Sequence, residues 1–183
     1  MLKPVLIVTA TLALALPVLV AAEAKDKAPA KPGEVIFDAQ SAFAYLKTLA
    51  GDWERQSNDH EHGSSSRIVT FRVSAAGSAV IETYNAGLPT EMVSVYSMDG
   101  KELMMTHYCA LQNAPVMKFE KSNKPGEIKL AFAGGTNFDP KVDAHAHEGL
   151  LRVRDVNTFE AVAVGMAGGK LRPPAESLMK RKQ

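Results

Sequence analysis

From Gly51 onward the hydrophobic period of this chain is two, and it stays two to the end. The segment Arg67-Ile-Val-Thr-Phe-Arg-Val73 sets Val69, Phe71 and Val73 on one side of an extended backbone, and β-rich runs follow at 79–84 and 92–98. Met98-Asp99-Gly100-Lys101 supplies the Asp-Gly pair that marks a two-residue hairpin loop. The return run 102–110 leads to 116–121, the Asn123-Lys-Pro-Gly126 turn and 127–133. Runs 143–154 and 158–166 follow around Asp155-Val-Asn157, and a last run at 175–181 is placed to close the sheet. The pairs in Ala133-Gly-Gly135 and Ala167-Gly-Gly169 read as turns rather than phosphate cradles. About nine or ten short strands with frequent turns describe a meander and not βαβ units. Closing a meander into a barrel removes the exposed edges that would recruit other chains. The expectation is one all-β domain over residues 38–183, a single antiparallel up-and-down barrel with no internal repeat.

Only one helix is expected, and it precedes the strands. Ala42, Leu46 and Leu49 fall at helical spacing, Asp38 serves as N-cap, and Gly51 stops the pattern. Residues 25–37 read as a flexible leader, whose Lys, Ala, Pro and Asp up to Gly33 bury little apolar surface. Residues 1–24 have the order of parts of a secretory signal peptide: Lys3, an uncharged run from Val5 to Val20, and small residues with an A-x-A site at Ala22-Glu23-Ala24. The run is shorter than the roughly twenty residues that cross a bilayer, and no cysteine stands nearby to take a lipid. A soluble periplasmic or secreted protein, with no stable membrane anchor after cleavage, is therefore expected.

Charge narrows the partners. The chain has 21 basic and 20 acidic residues, net +1, and removing Lys3 with Glu23 leaves 20 and 19, still +1. That balance gives no electrostatic case for nucleic acid or an anionic membrane surface. Cys109 is the single cysteine, so no disulfide staples the fold, and it reads as a small buried apolar residue.

The text Leu46-Lys-Thr-Leu-Ala-Gly-Asp-Trp53 puts Gly-x-Trp after a helix and at the start of the first strand. It resembles the opening of lipocalin-like, or calycin, barrels. Ile81-Glu-Thr-Tyr84, Glu91 to Gly100, Leu103-Met-Met-Thr-His-Tyr-Cys-Ala110 and Asn113-Ala-Pro115 extend the likeness. They are similar to an uncharacterised family of bacterial exported proteins marked by a Thr-His-Tyr-Cys strand and an Asn-x-Pro turn. His145-Ala-His147 fits that family's His-x-His strand, with Ala146 where a methionine is usual. The resemblance spans Leu46 to about Gly169 and implies a fold, since the family has no agreed activity. It also implies that Trp53 plugs the closed end of the barrel and that an arginine of the last strand, here Arg181, packs across it.

The residues that point to chemistry are on strands. Leu103, Met105, His107 and Cys109 share one face of their run, and His145, His147, Leu151 and Val153 share one face of theirs. Both faces are apolar, which places the three histidines inside the barrel. Glu82 and Tyr84 share a face, as do Met92, Tyr96 and Met98, a composition suited to an irregular apolar ligand with one polar handle. The candidate ligand-binding set is Glu82, Tyr84, Tyr96, His107, Cys109, His145 and His147, and the expected partner is a small lipophilic molecule. No catalytic motif is present: there is no nucleophile elbow, P-loop or dinucleotide fingerprint. Two alternatives stand beside binding. One is an enzyme using Glu82 or an interior histidine as general acid or base, and the other is a metal or haem barrel in which His107, His145 and His147 converge. The sequence specifies no cofactor. His60-Glu61-His62 lies in a polar loop and lacks the His-Glu-x-x-His spacing of a zinc protease.

Overall fold

A reciprocal capping box starts the first element, α1 (Ala39–Thr48). Ser41 N–H donates to Asp38 Oδ1 at 2.7 Å and Asp38 N–H donates to Ser41 Oγ at 2.9 Å. These bonds satisfy two backbone donors at the helix start. The computed structural model describes residues 31–56 and 68–183. The signal segment and His60-Glu61-His62 lie outside them. α1 turns Ala42, Phe43 and Leu46 onto the core, one face of a short amphipathic helix.

Eleven strands follow: β1 (Gly51–Gln56), β2 (Ile68–Ser74), β3 (Ala79–Tyr84), β4 (Met92–Asp99), β5 (Glu102–Tyr108), β6 (Ala114–Glu120), β7 (Glu127–Thr136), β8 (His145–Asp155), β9 (Thr158–Ala167), β10 (Lys170–Leu171) and β11 (Ala175–Arg181). β1 to β9 pair in chain order, and β11 pairs with both β9 and β1, all antiparallel. Ten strands thus close into the expected barrel, and β10 adds only a two-residue ribbon on β9. The run at 175–181 is the closing strand.

Alternation of the strands gives the barrel two distinct ends. Connections 75–78, 100–101, 121–126 and 156–157 lie at one end with α1, and 85–91, 109–113, 137–144 and 168–174 lie at the other. The helix end is filled. Trp53 is fully buried, its ring edge-on to Phe159 at 4.7 Å, and its Nε1–H donates to Leu49 O at 2.7 Å. Arg181 lies over the Trp53 ring at 4.4 Å and donates to Ala50 O and Thr48 O, both at 2.9 Å. One guanidinium therefore satisfies carbonyls left over at the end of α1 while stacking on the aromatic plug.

Four local expectations need correction. The hairpin loop between β4 and β5 is Gly100-Lys101, because Asp99 pairs with Glu102. The positive φ of 59° falls on Gly100, the first loop residue, where a type II′ loop needs glycine. Gly134 and Gly135 lie inside β7 and not in a turn: Gly135 pairs with Pro115 beside a bulge at Val116/Met117. A Cβ on Gly135 would come within 2.7 Å of Ala114 O, so glycine here permits a close strand approach. Tyr108, and not Ala110, ends β5. Finally, the leader is fixed from Pro32 on, since Phe37 is buried in the core and Gly126 N–H donates to Val35 O at 2.7 Å. Phe37 supplies the apolar surface that the composition up to Gly33 lacks.

Candidate functional site

Register places the polar interior. Phe71 stands opposite Glu82, Glu82 opposite Ser94, and Ser94 opposite His107, so these four form one inward row across β2 to β5. The neighbouring row sets Val80 beside Tyr96, Tyr96 beside Met105, and Met105 beside Met117. Glu82, Tyr84, Tyr96 and His107 line one cavity of about 260 Å³. Its opposite side is mostly apolar and comes from β6 to β9 and β11, with Met117, Leu130, Leu151, Phe159, Ala161 and Met179, interrupted by Glu148 and Ser177. A second space of about 330 Å³ adjoins it toward the loop end, sharing Arg55, Tyr84 and Met92.

Glu82 is the centre of the polar wall. Its side chain is buried, and each carboxyl oxygen accepts a phenol: Tyr84 O–H donates to Oε1, and Tyr96 O–H donates to Oε2 at 2.5 Å. Burial pushes the Glu82 carboxyl up to about 7, against the two hydrogen bonds, which favour the ionised form. Burial, reinforced by the adjacent Glu82 carboxyl, drives both phenols well above their ordinary range. His107 Nδ1 is 2.9 Å from Ser94 Oγ, and burial lowers the His107 imidazole below its ordinary value. A neutral imidazole that accepts the Ser94 hydroxyl at Nδ1 carries its proton on Nε2.

The remaining candidates sit elsewhere. Cys109 follows the end of β5, half-buried, with its Sγ 3.9 Å from Met92 Sδ. His145 and His147 do not line the cavity but form a cluster with Phe132 and Phe138: His147 stacks on Phe132 at 4.8 Å, and His145 lies 4.7 Å from Phe138. A register shift between Ala146 and Glu148 against β9 breaks the alternation that put both histidines on the face of Leu151 and Val153. His145 Nδ1 is 2.9 Å from Asp143 O, and since a carbonyl only accepts, Nδ1 carries the proton. With both rings neutral, His145 Nε2 then accepts from His147 Nδ1–H at 3.1 Å. Burial lowers the His147 imidazole, as does the adjacent His145, while Glu148 acts the other way. Among the described residues no three His, Cys, Asp or Glu side chains gather as a metal-ligand set, so His107 does not converge with His145 and His147.

Four polar lining residues were absent from the candidate set: Arg55, Ser94, Glu148 and Ser177. Alternation offered Ser94, two residues before Tyr96, and Arg55, two after Trp53. Arg55 Nε–H donates to Ser177 Oγ at 2.6 Å, which ties β1 to the closing strand beside the cavity.

A scan of protein-family models finds no match to this chain, and a search of curated proteins finds none.

Proposed function

We propose that the protein is an exported binding protein whose barrel takes up a small, largely apolar molecule bearing one polar group. The observation that carries this reading is the two-sided cavity: a mostly aliphatic and aromatic side from β6 to β9 and β11, with Glu148 and Ser177 its polar members, faces Glu82, Tyr84, Tyr96, Ser94 and His107. An apolar cavity with a few convergent polar groups is the usual form of a small-molecule site, and about 260 Å³ suits a compact ligand. Export is supported by Lys3, the Val5–Val20 run and Ala22-Glu23-Ala24.

Native mass spectrometry of the protein secreted from its full-length precursor tests both parts. A co-purifying small molecule, lost in Leu151→Trp and retained in Val156→Ser, is the expected result. Loss in neither variant would remove the cavity from consideration, and retention of residues 1–24 in the recovered protein would remove the cleaved signal.

One observation favours a second reading, general acid–base catalysis. A carboxyl held near 7 inside a cavity is poised to give or take a proton. Chemical change of the captured molecule over time, absent in Glu82→Gln, would select catalysis over simple binding.

A further inference from the structure

Glu82, Tyr84 and Tyr96 hold a countable set of protons, and the count fixes what the wall offers a guest. With Glu82 ionised, both phenol O–H groups donate to the carboxylate, so neither is free for a ligand. The phenol oxygens then present only lone pairs, and the trio carries a negative charge. One proton from solvent on Glu82 changes the pattern. The carboxyl O–H donates to one phenol oxygen, the other phenol still donates to the carboxyl, and the displaced phenol O–H is released toward the cavity.

Resting on the cavity-binding reading, we infer that this trio is a proton-coupled selector, which takes a small apolar ketone or aldehyde when protonated and a small apolar amine when ionised. A carbonyl accepts the released phenol O–H. An ammonium donates to the phenol oxygens and its charge is met by the buried carboxylate. Burial holds the carboxyl near neutrality, so both forms are accessible under ordinary conditions.

Other groups around the trio do not duplicate this behaviour. Phe71 faces Glu82 from β2 and Ser94 from β4, and neither titrates in this range. Arg55 on β1 and Glu148 on β8 line the same cavity with opposite charges, and Ser177 on β11 is neutral. His107 on β5 also lines the cavity, and burial disfavours its charged form.

Three probes with nearly one carbon skeleton test the inference: acetophenone, 1-phenylethylamine and ethylbenzene. Calorimetric titration of the mature protein between about pH 6 and 8, in buffers of different ionisation enthalpy, reads affinity and proton uptake together. Acetophenone affinity is expected to fall about tenfold per pH unit once Glu82 ionises, with close to one proton taken up on binding there. The affinity of 1-phenylethylamine, cationic throughout, is expected to fall as pH drops through the same midpoint, with a proton released. Ethylbenzene binding stays flat. Glu82→Gln flattens all three profiles, whereas His107→Gln keeps the slopes.

Binding of ethylbenzene with flat profiles for the other two, or slopes that survive in Glu82→Gln, would overturn the selector and leave the cavity reading standing. Failure of all three to bind would overturn both. Should Glu82→Gln not fold, a protonated-carboxyl infrared band in the wild type decides the matter: growth with the binding midpoint supports the selector, and its absence across this range overturns it.

Discussion

The two ends of this barrel use their polar groups in opposite ways. At the helix end, polar atoms bond inward to backbone: Trp53 to Leu49 O, and Arg181 to Thr48 O and Ala50 O, around an aromatic plug. Only the Tyr45 hydroxyl is buried there without a partner among the described residues. Toward the loop end, polar side chains bond to one another along the wall of a cavity, as in Tyr84–Glu82–Tyr96 and Ser94–His107. The exposed side chains Leu88, Tyr108, Leu111, Val142 and Leu171 also stand at that end. Saturated backbone bonding and dense aromatic packing make a wall. Side chains bonded to one another leave a polar face on the cavity.

The contrast can be broken hardest at the plug. Trp53→Ala is expected to cost about 3–5 kcal/mol, because it removes a fully buried ring, its hydrogen bond and the surface under Arg181. Urea unfolding measures this, and a loss under about 1 kcal/mol would mean that the helix end is not the stabilising one.

Glu82 should behave in the reverse sense. Its carboxyl is raised from 4.5 to about 7, so the folded chain holds the extra proton: Glu82 supports the fold below pH 4.5, and that support is lost as pH rises through about 7. Wild-type stability relative to Glu82→Gln should therefore fall by about 3 kcal/mol across this window. Urea unfolding of both proteins over a pH series checks it, and a flat difference would mean that the carboxyl is well solvated.

Smaller effects sharpen the picture. Arg181→Met keeps much of the stem but loses two bonds to the α1 carbonyls and the charge over Trp53, an expected loss of about 2 kcal/mol with no change in probe binding. Weakened binding in this variant would show that the two ends are coupled. Asp38→Ala removes the cap of α1 and should cost about 1 kcal/mol, readable as a small drop in thermal midpoint.

Where the alternation runs without interruption, it was legible. β3, β4 and β5 pair without a register shift, so Glu82, Tyr84, Tyr96 and His107 could be placed on inward faces from spacing alone. The helix and its cap were legible for a similar reason, since Asp38, Ala42, Leu46 and Leu49 obey a local rule. Bulges obey no such rule. The extra residue near Ala146 carries no signature of its own, yet it detaches His145 and His147 from the cavity. Gly134-Gly135 has the composition of a turn and serves instead as close strand pairing, which depends on Ala114 and Pro115 from a different strand. Cys109 missed the cavity because β5 ends one residue before it.

Chain direction has one more consequence. The ordered leader is bonded at Gly126 and packed beside Val153, while the last strand runs out past Trp53, with Lys182 N–H donating to Asp52 O at 2.8 Å. Both extremities of the described chain therefore leave the barrel from the plugged side. A tag, a fused domain or a surface linkage that starts from either extremity of the described residues starts on the side opposite the 85–91, 109–113, 137–144 and 168–174 connections, so an immobilised copy keeps those connections turned toward the solution.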